Sequence, residues 1–243
     1  MRKNVSTILF VLSLFLFIGC SQQPDPTIDV SETLAQAQKF TQDTNFEEAV
    51  SAYDKVIDLT PEHAVALLER GFAHGNLGQR ERAIEDFSRV LELDENNTQA
   101  LFNRGQAYYE IGELEAAERD FSEAIKLVPS WADAYSYRGL VYDELGNLPD
   151  AIKDFDEAAR LEPQNADFHC NRGVALNKLG DPREALEAFN QALVLDPDNG
   201  EVYARRGNAY LTLGELDKGL ADFDHALDLG AEGAELYMVR GET

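Results

Sequence analysis

The stretch FNRGQAYYEIG, residues 102–112, contains an arginine–glycine pair that recurs along the chain at a fixed interval. Successive copies lie 34 residues apart: Arg70-Gly71, Arg104-Gly105, Arg138-Gly139, Arg172-Gly173, Arg206-Gly207 and Arg240-Gly241. A period of this length indicates an array of similar units rather than one large domain. Laid out in this register, the chain divides into blocks that begin at Val30, Ala64, Thr98, Ala132, Ala166 and Gly200, with a partial block from Ala234.

Each block predicts two helices joined by a tight turn. In the third block a first helical face is formed by Leu101, Gly105, Tyr108 and Ile111. Gly112 follows, where the end of a helix favours a residue in the left-handed conformation. A second apolar stripe comes after the turn: Ala117, Phe121, Ala124 and Ile125. Pro129 then closes the block, because proline cannot continue a helix interior.

Small residues recur where the two helices of a block would cross. The first helices carry Gly71, Gly105, Gly139, Gly173 and Gly207. The second helices carry Ala49, Ala83, Ala117, Ala151 and Ala185, with glycine at 219. Without bulk at these places the helix axes can approach closely. We expect the space alongside to be filled by Phe87, Phe121, Phe155, Phe189 and Phe223.

This pattern resembles the tetratricopeptide repeat. The resemblance is carried by the glycine at the eighth place of a block, the alanine–phenylalanine pair, and Tyr108, Tyr142, Tyr210, Pro61, Pro129, Pro163 and Pro197. The first block departs from it with Gln36 and Ala37, and Glu95 and Ala231 replace proline. The resemblance implies an all-α, right-handed superhelical solenoid of antiparallel helix pairs. Its repeats would be 30–63, 64–97, 98–131, 132–165, 166–199 and 200–233, with a partial repeat at 234–243.

The recurring arginines predict a ladder of ion pairs. In four blocks an aspartate precedes the phenylalanine: Asp86, Asp120, Asp154 and Asp222. Arginine and aspartate can form partly buried, two-pronged pairs that orient successive helices. If each pair forms within its block, Arg172 faces Ala188 and has no partner. If the aspartate comes from the preceding block, Arg206 has none.

The N-terminus is predicted to be a separate targeting segment. Residues 1–19 combine two basic residues with an apolar run, which is typical of a signal peptide. The following Cys20 resembles the acylated cysteine of bacterial lipoproteins, and residues 20–29 suit a lipidated tether. The resemblance implies a lipid anchor in the bacterial envelope facing the periplasm, and Ser21 favours the outer over the inner membrane. The alternative is a secreted protein with a chance cysteine near its cleavage site.

The charge balance restricts the classes of partner. The chain has 45 acidic and 21 basic residues, a net charge of −24. Nucleic-acid binding and docking on anionic lipids both need a cationic surface, so neither is expected. A protein partner that offers basic or apolar segments fits better.

No pattern predicts catalysis, a cofactor or a metal site. The histidines at 63, 74, 169 and 225 lie in different blocks without metal-ligand spacing. Sequence motifs for nucleophile elbows, phosphate-binding loops and zinc proteases are absent. Cys170 has no intramolecular cysteine partner once Cys20 is acylated, so we expect a small buried residue. The chain is therefore not expected to be an enzyme.

The resemblance instead implies a concave groove, lined by first helices, that receives segments of other proteins. Transferred place by place, its predicted residues are Val65, Leu68, Phe72, Phe102, Asn103, Gln106, Tyr109, Tyr137, Leu140, Asp143, Asn171, Asn177 and Arg205. The alternative is that the aromatic members only pack between first helices. Some relatives grip a carboxylate here, but only Asn171 and Arg205 match that clamp, so it is not expected.

The predicted function is a non-enzymatic adaptor that assembles or recruits envelope proteins, such as secretin, pilus or cell-wall machinery. The alternative is a self-assembling scaffold. In that case the partial repeat 234–243 would dock on another copy through Leu236, Tyr237 and Met238.

Overall fold

The computed structural model describes residues 29–231, and within that range the chain forms twelve α-helices and no strands. The helices are α1 (Val30–Gln42), α2 (Phe46–Leu59), α3 (Ala64–Asn76), α4 (Arg80–Leu93), α5 (Thr98–Glu110), α6 (Leu114–Leu127), α7 (Ala132–Glu144), α8 (Leu148–Leu161), α9 (Ala166–Leu179), α10 (Pro182–Leu195), α11 (Gly200–Thr212) and α12 (Leu216–Asp228). The odd-numbered helices are the first helices of the blocks, and each begins where its block begins. The all-α fold is confirmed. The predicted signal peptide, Cys20 and the partial repeat lie outside the described residues.

Polar side chains before several first helices explain why those helices begin where they do. Asn97 Oδ1 accepts a hydrogen bond from the backbone N–H of Ala100 at 2.9 Å. This bond satisfies one of the N–H groups that a helix start leaves without an intrahelical partner. Trp131 holds the equivalent place before α7 and makes no such bond. Its ring instead stacks on Phe102, with centroids 4.5 Å apart.

A residue with positive φ lies in the turn between the two helices of each repeat. Gly112 has φ 80°, as predicted. The same conformation is adopted by the glycines at 78, 146, 180 and 214. In the first repeat it is adopted by Thr44, whose β-carbon makes it costly. The expectation that Ile111 lies on the packed face is wrong: α5 ends at Glu110, so Ile111 projects from the turn and is exposed.

The first-helix glycine of repeats two to six faces the phenylalanine of its own repeat. A β-carbon on Gly139 would lie 2.7 Å from Phe155 Cε1. The equivalent distance to Phe189 Cε1 from a β-carbon on Gly173 would be 2.6 Å. The contact recurs in Gly71–Phe87, Gly105–Phe121 and Gly207–Phe223. No side chain fits at these glycines, which confirms that they let an aromatic ring pack against the first-helix backbone.

Four arginines of the repeat pair with the buried aspartate of their own block. Arg138 Nε and Nη2 donate to the two carboxylate oxygens of Asp154, each at 2.8 Å. The same two-pronged pair forms in Arg70–Asp86, Arg104–Asp120 and Arg206–Asp222. These hydrogen bonds raise the pKa of each of the four arginines, so the guanidinium groups stay charged. The predicted ladder is confirmed in its within-block form.

The remaining nitrogen of each guanidinium reaches the second helix of the preceding repeat. Arg138 Nη1 donates to Ser122 Oγ on α6 at 3.1 Å. Arg104 Nη1 donates to Ser88 Oγ on α4 at 3.0 Å. The equivalent bonds are Arg70–Asp54 and Arg206–Asn190. Each of these arginines therefore holds two successive repeats together, through a partner that lies 16 residues before it in the chain.

The expectation that Arg172 lacks a partner is wrong. Ala188 stands where the other blocks have aspartate, but Arg172 Nε donates to Asp156 Oδ1 on α8 at 2.6 Å. The side chain of Asp156 is 53% exposed, whereas that of Asp154 is 8% exposed. The fifth repeat thus loses its internal ion pair and keeps only the link to the preceding repeat.

The inner surface of the solenoid is formed by the first helices. Within residues 29–231 each first helix contacts the next one, α1 with α3 and so on to α9 with α11, while the second helices make no comparable contacts with one another. Because the first helices lie closer to one another than the second helices do, the solenoid curves toward the side of the first helices. In the same range no helix is both long enough and apolar enough to cross a bilayer.

Candidate functional site

The exposed surface between successive first helices, here named the inner groove, holds most of the predicted binding residues. One part of it, the N-terminal part, is bounded by α3, α4 and α5 and encloses about 330 Å³. Of the predicted residues it is lined by Phe72, Asn103 and Gln106. The ring of Phe72 is 44% exposed and meets Phe46 edge-on, with centroids 6.3 Å apart. A large apolar side chain is therefore available to a partner in this part.

The nearby predicted residues differ in their exposure and in whether they already have a hydrogen-bond partner. Val65 is exposed on α3, whereas Leu68 packs partly against the core of the first repeats. Asn103 Oδ1 accepts a hydrogen bond from Gln99 Nε2 at 2.8 Å. Arg80 and Glu110 form an ion pair at the border of the same cavity. The N-terminal part thus presents apolar groups beside polar groups that are already paired.

Phe102 is not available as a binding residue. Its side chain is only 8% exposed. It stacks on Trp131 and meets Phe121 and Tyr137 edge-on, with centroid distances of 5.7 and 5.4 Å. These contacts place Phe102 in the core. For this residue they agree with the alternative that the aromatic members only pack between first helices. Sequence spacing could not show this, because the covering group, Trp131, comes from the loop before α7.

The C-terminal part of the inner groove lies across α7, α9 and α11 and encloses about 340 Å³. Four predicted residues line it: Tyr137, Leu140, Asn171 and Arg205. Sequence reasoning did not single out its acidic lining, which consists of Asp133, Asp167 and Glu201. These acids lie near the N-termini of the three first helices. The C-terminal part is therefore more acidic than the N-terminal part.

The arrangement at Arg205 argues against a carboxylate clamp. The guanidinium of Arg205 is already paired with Glu201 one turn earlier on α11. A carboxylate entering here would meet the negative charges of Glu201 and Asp167. The same cavity is lined by Cys170, where burial raises the pKa of the thiol to about 11, so the thiol is neutral at physiological pH.

The last three predicted residues, Tyr109, Asp143 and Asn177, occupy one place in three successive first helices. Asp143 Oδ2 accepts a hydrogen bond from Lys178 Nζ at 2.5 Å. Asp143 Oδ1 and Asn177 Oδ1 are buried and have no hydrogen-bond partner. Burial, followed by the negative charges of Glu144 and Asp143, raises the pKa of Tyr109. The tyrosine therefore lies in the field of these acids.

The residues that the structure describes form no metal centre. In that part of the chain no group of three His, Cys, Asp or Glu side chains could hold a metal ion. The histidines have structural contacts instead. His63 Nδ1 caps α3 by accepting from the N–H of Ala66, and buried His74 hydrogen-bonds Gln79 at 2.7 Å.

Two family profiles match the chain with overlapping segments. The profile described as "Tetratricopeptide repeat" matches residues 138–200 and 170–234, and the profile "TPR repeat" matches residues 76–112 and 105–146. Together they cover residues 76–234. The chain is a tetratricopeptide-repeat protein. Proteins of this class are protein–protein interaction scaffolds and are in general non-enzymatic, and no catalytic family is indicated for this one.

Solved structures agree with this assignment. This tetratricopeptide-repeat protein is similar to the MamA protein at 28% sequence identity and a TM-score of 0.65, over 71% of this chain and 94% of that one. A tetratricopeptide repeat protein from Parabacteroides merdae ATCC 43184 gives a TM-score of 0.76 at 22% identity, over 88% of this chain and 84% of that one.

A third similar structure shares the fold at lower identity. YrrB, described as a TPR protein with an unusual peptide-binding site, gives a TM-score of 0.65 at 22% identity, over 80% of this chain and 100% of that one. No curated protein matches the chain.

Proposed function

We propose that this protein is an adaptor of the bacterial cell envelope, anchored by lipid at Cys20, whose inner groove binds a segment of a partner protein. The observation that carries the proposal is the open inner groove, with an exposed aromatic ring in its N-terminal part and acids in its C-terminal part. Aromatic side chains in partly covered pockets are frequent anchors of protein interfaces.

The partner segment is expected to be apolar at one end and basic at the other. Phe72 and Val65 offer apolar surface on α3. Asp133, Asp167 and Glu201 repel anionic segments and attract Lys or Arg. The whole chain, at a net charge of −24, favours the approach of a cationic partner from solution.

Residues 1–20 support a location at the bacterial membrane with the solenoid in the periplasm. Several acyl chains on one cysteine anchor a protein firmly, whereas a single chain binds only marginally. Ser21 favours the outer membrane. The adaptor would there recruit or assemble secretion, pilus or cell-wall machinery. If the anchor is correct, the membrane-bound chain begins at acylated Cys20 by mass spectrometry, and Cys20→Ser moves the protein to the soluble fraction.

Chemical crosslinking in intact envelopes, followed by recovery of the protein, tests the groove. Phe72→Ala should lower the yield of the partner at least tenfold, because truncation of an aromatic anchor commonly costs about 2 kcal/mol or more. Val194→Ala is the matched control, since Val194 is 79% exposed on the second helix α10 and lies away from the inner groove.

Two outcomes would redirect the proposal. Equal yields of the same partners from the wild type and from Phe72→Ala would show that the inner groove is not the binding surface. Recovery of copies of this chain alone, together with a dimer or larger species in sedimentation, would favour the self-assembling scaffold through the partial repeat 234–243.

A further inference from the structure

Two buried oxygen atoms in the inner groove lack a hydrogen-bond donor. Among residues 29–231 the buried side-chain polar atoms without a partner are Asp143 Oδ1 and Asn177 Oδ1. They belong to successive first helices, α7 and α9, and to the same place in their repeats. Both residues belong to the first helices, which form the inner groove that the proposed function assigns to the partner.

A buried acceptor without a hydrogen-bond donor favours the binding of a ligand that supplies one. A buried acceptor without a hydrogen bond destabilises the folded chain, and does so more strongly when it is charged. The buried aspartates of the ion-pair ladder avoid this cost, because an arginine fills both oxygens of each, as Arg138 does at Asp154. Asp143 has only Lys178, on Oδ2. One carboxylate oxygen and one amide oxygen are thus left without a donor.

We propose that Asp143 and Asn177 form a subsite for an arginine side chain of the partner segment, whose guanidinium donates to Asp143 Oδ1 and Asn177 Oδ1. The inference rests on the proposed function and specifies the chemistry recognised there. A guanidinium fits better than an ammonium, because its rigid fork of N–H groups can serve two separate acceptors at once.

The charges around the subsite agree with a cationic ligand. Glu144 follows Asp143 at the end of α7, and Tyr109 on α5 lies within the field of both acids. A tyrosine ring beside a bound guanidinium adds a favourable cation–π contact. Lys178 forms an ion pair with Asp143, and it shares the carboxylate that the ligand would use. Removing Lys178 should therefore strengthen binding.

A minimal probe tests the subsite without knowledge of the partner. The full mature chain, with its lipid anchor held in detergent micelles, is titrated with N-acetyl-arginine amide while the side-chain amide signal of Asn177 is followed by NMR. We expect a saturable shift of this signal at millimolar probe. N-acetyl-citrulline amide, the uncharged analogue of similar shape, should cause none. Equal responses to the two probes would overturn the proposal.

Variants identify which carboxylate is responsible. Asp143→Asn should weaken binding of the arginine probe at least tenfold. Glu187→Gln, which removes the same charge from an exposed acid on the second helix α10, should change it less than twofold. Equal effects would show a general attraction to the negative charge of the chain and would overturn the subsite.

A further variant keeps the proposal testable if Asp143→Asn does not fold. If Asp143→Asn unfolds the chain, as shown by circular dichroism, Lys178→Met still tests the idea because it leaves both acceptors intact. Binding at least threefold tighter supports the subsite. Unchanged or weaker binding shows that Asp143 and Lys178 only link two repeats, and overturns it.

The two proposals can fail separately. If the arginine probe does not bind but recovery of the partner still depends on Phe72, only the subsite is wrong. If the probe binds as expected but no partner depends on Phe72, the proposed function is wrong and the subsite stands.

Discussion

The fourth and fifth repeats, residues 132–165 and 166–199, differ at the buried place that faces the repeat arginine. In the fourth, Arg138 is held by Asp154 within the repeat and by Ser122 from the repeat before. In the fifth, Ala188 replaces the aspartate, and Arg172 is bound only by Asp156 of the preceding repeat. The glycine–phenylalanine contact is the same in both.

This difference separates two kinds of stabilisation. The helix pair of the fifth repeat packs without an internal ion pair, so side-chain packing, which includes the fit of phenylalanine against glycine, is sufficient to form it. The arginine retains its bond to the preceding repeat even when the aspartate is missing. We infer that packing holds the two helices of a repeat together, while the arginine mainly connects one repeat to the next.

The largest expected effect tests the shared contact. Phe155→Ala and Phe189→Ala should each lower the free energy of unfolding by about 3–5 kcal/mol, because each leaves a cavity in a fully packed site. Urea unfolding followed by circular dichroism measures both, with Val194→Ala as a nearly neutral control. A large loss in the fourth repeat alone would contradict the idea that packing suffices in the fifth.

The next effect separates the two ion pairs. Asp154→Ala should cost about 3 kcal/mol, at the low end for a buried pair because the Arg138 side chain is still 19% exposed. Asp156→Ala, in the half-exposed pair with Arg172, should cost less than about 1 kcal/mol. The same unfolding measurement at low and high salt checks the assignment, since only the exposed pair should weaken clearly with salt. Equal costs would remove the distinction between the repeats.

A third test compares Ser136 and Cys170, which occupy one place in the two repeats. Burial raises the pKa of the Cys170 thiol from 9.0 to about 11. The thiolate fraction at pH 8 should then be about a hundredfold lower than in the unfolded chain, with alkylation by iodoacetamide slowed to match. The Cys20→Ser background isolates this thiol, and Ser136→Cys should be equally slow. Rapid alkylation of the folded chain at pH 8 would contradict the burial.

The same thiol sets a pH dependence of stability. Because the folded pKa lies above the unfolded value, Cys170 contributes its stability fully below pH 9 and loses it as the pH rises from 9 to about 11. The Cys170→Ser variant should lack this decline, which urea unfolding across the interval would show.

The smallest effect comes from restoring the missing aspartate. Ala188→Asp should change stability by no more than about 1 kcal/mol, because a buried pair recovers little beyond the cost of removing its charges from water. A double-mutant cycle with Arg172→Met measures the coupling. A gain of several kcal/mol would show that the internal pair matters more than the packing.

Much of the fold could be predicted because its signals are local and repeated. The turn glycine, the small first-helix glycine and the phenylalanine recur at one spacing, and the block starts drawn from that spacing coincide with the starts of the first helices. The partner of Arg172 could not be predicted in the same way. The repeat pattern indicates a partner only at the place before the phenylalanine, whereas Asp156 lies two places after the aspartate of the preceding repeat.

The inner groove was harder to predict than the fold. Its residues were predicted from their places within the repeat, whereas the exposure of a residue depends on which other side chains cover it. Trp131 covers Phe102, so one expected anchor is in the core. The open acceptors of Asp143 and Asn177 were not expected either, because the satisfaction of a hydrogen bond depends on three-dimensional neighbours that spacing does not describe.

The hydrogen bond from each repeat arginine to the preceding repeat has a consequence for building new arrays from this chain. A 34-residue module cut at a block boundary carries its arginine but leaves behind the side chain that completes it on the upstream side. Grafts should therefore be cut within a second helix, on the N-terminal side of the residue that accepts a hydrogen bond from the arginine of the next repeat. The first repeat fits this logic, because it carries neutral Gln36 at the arginine's place and needs no such partner.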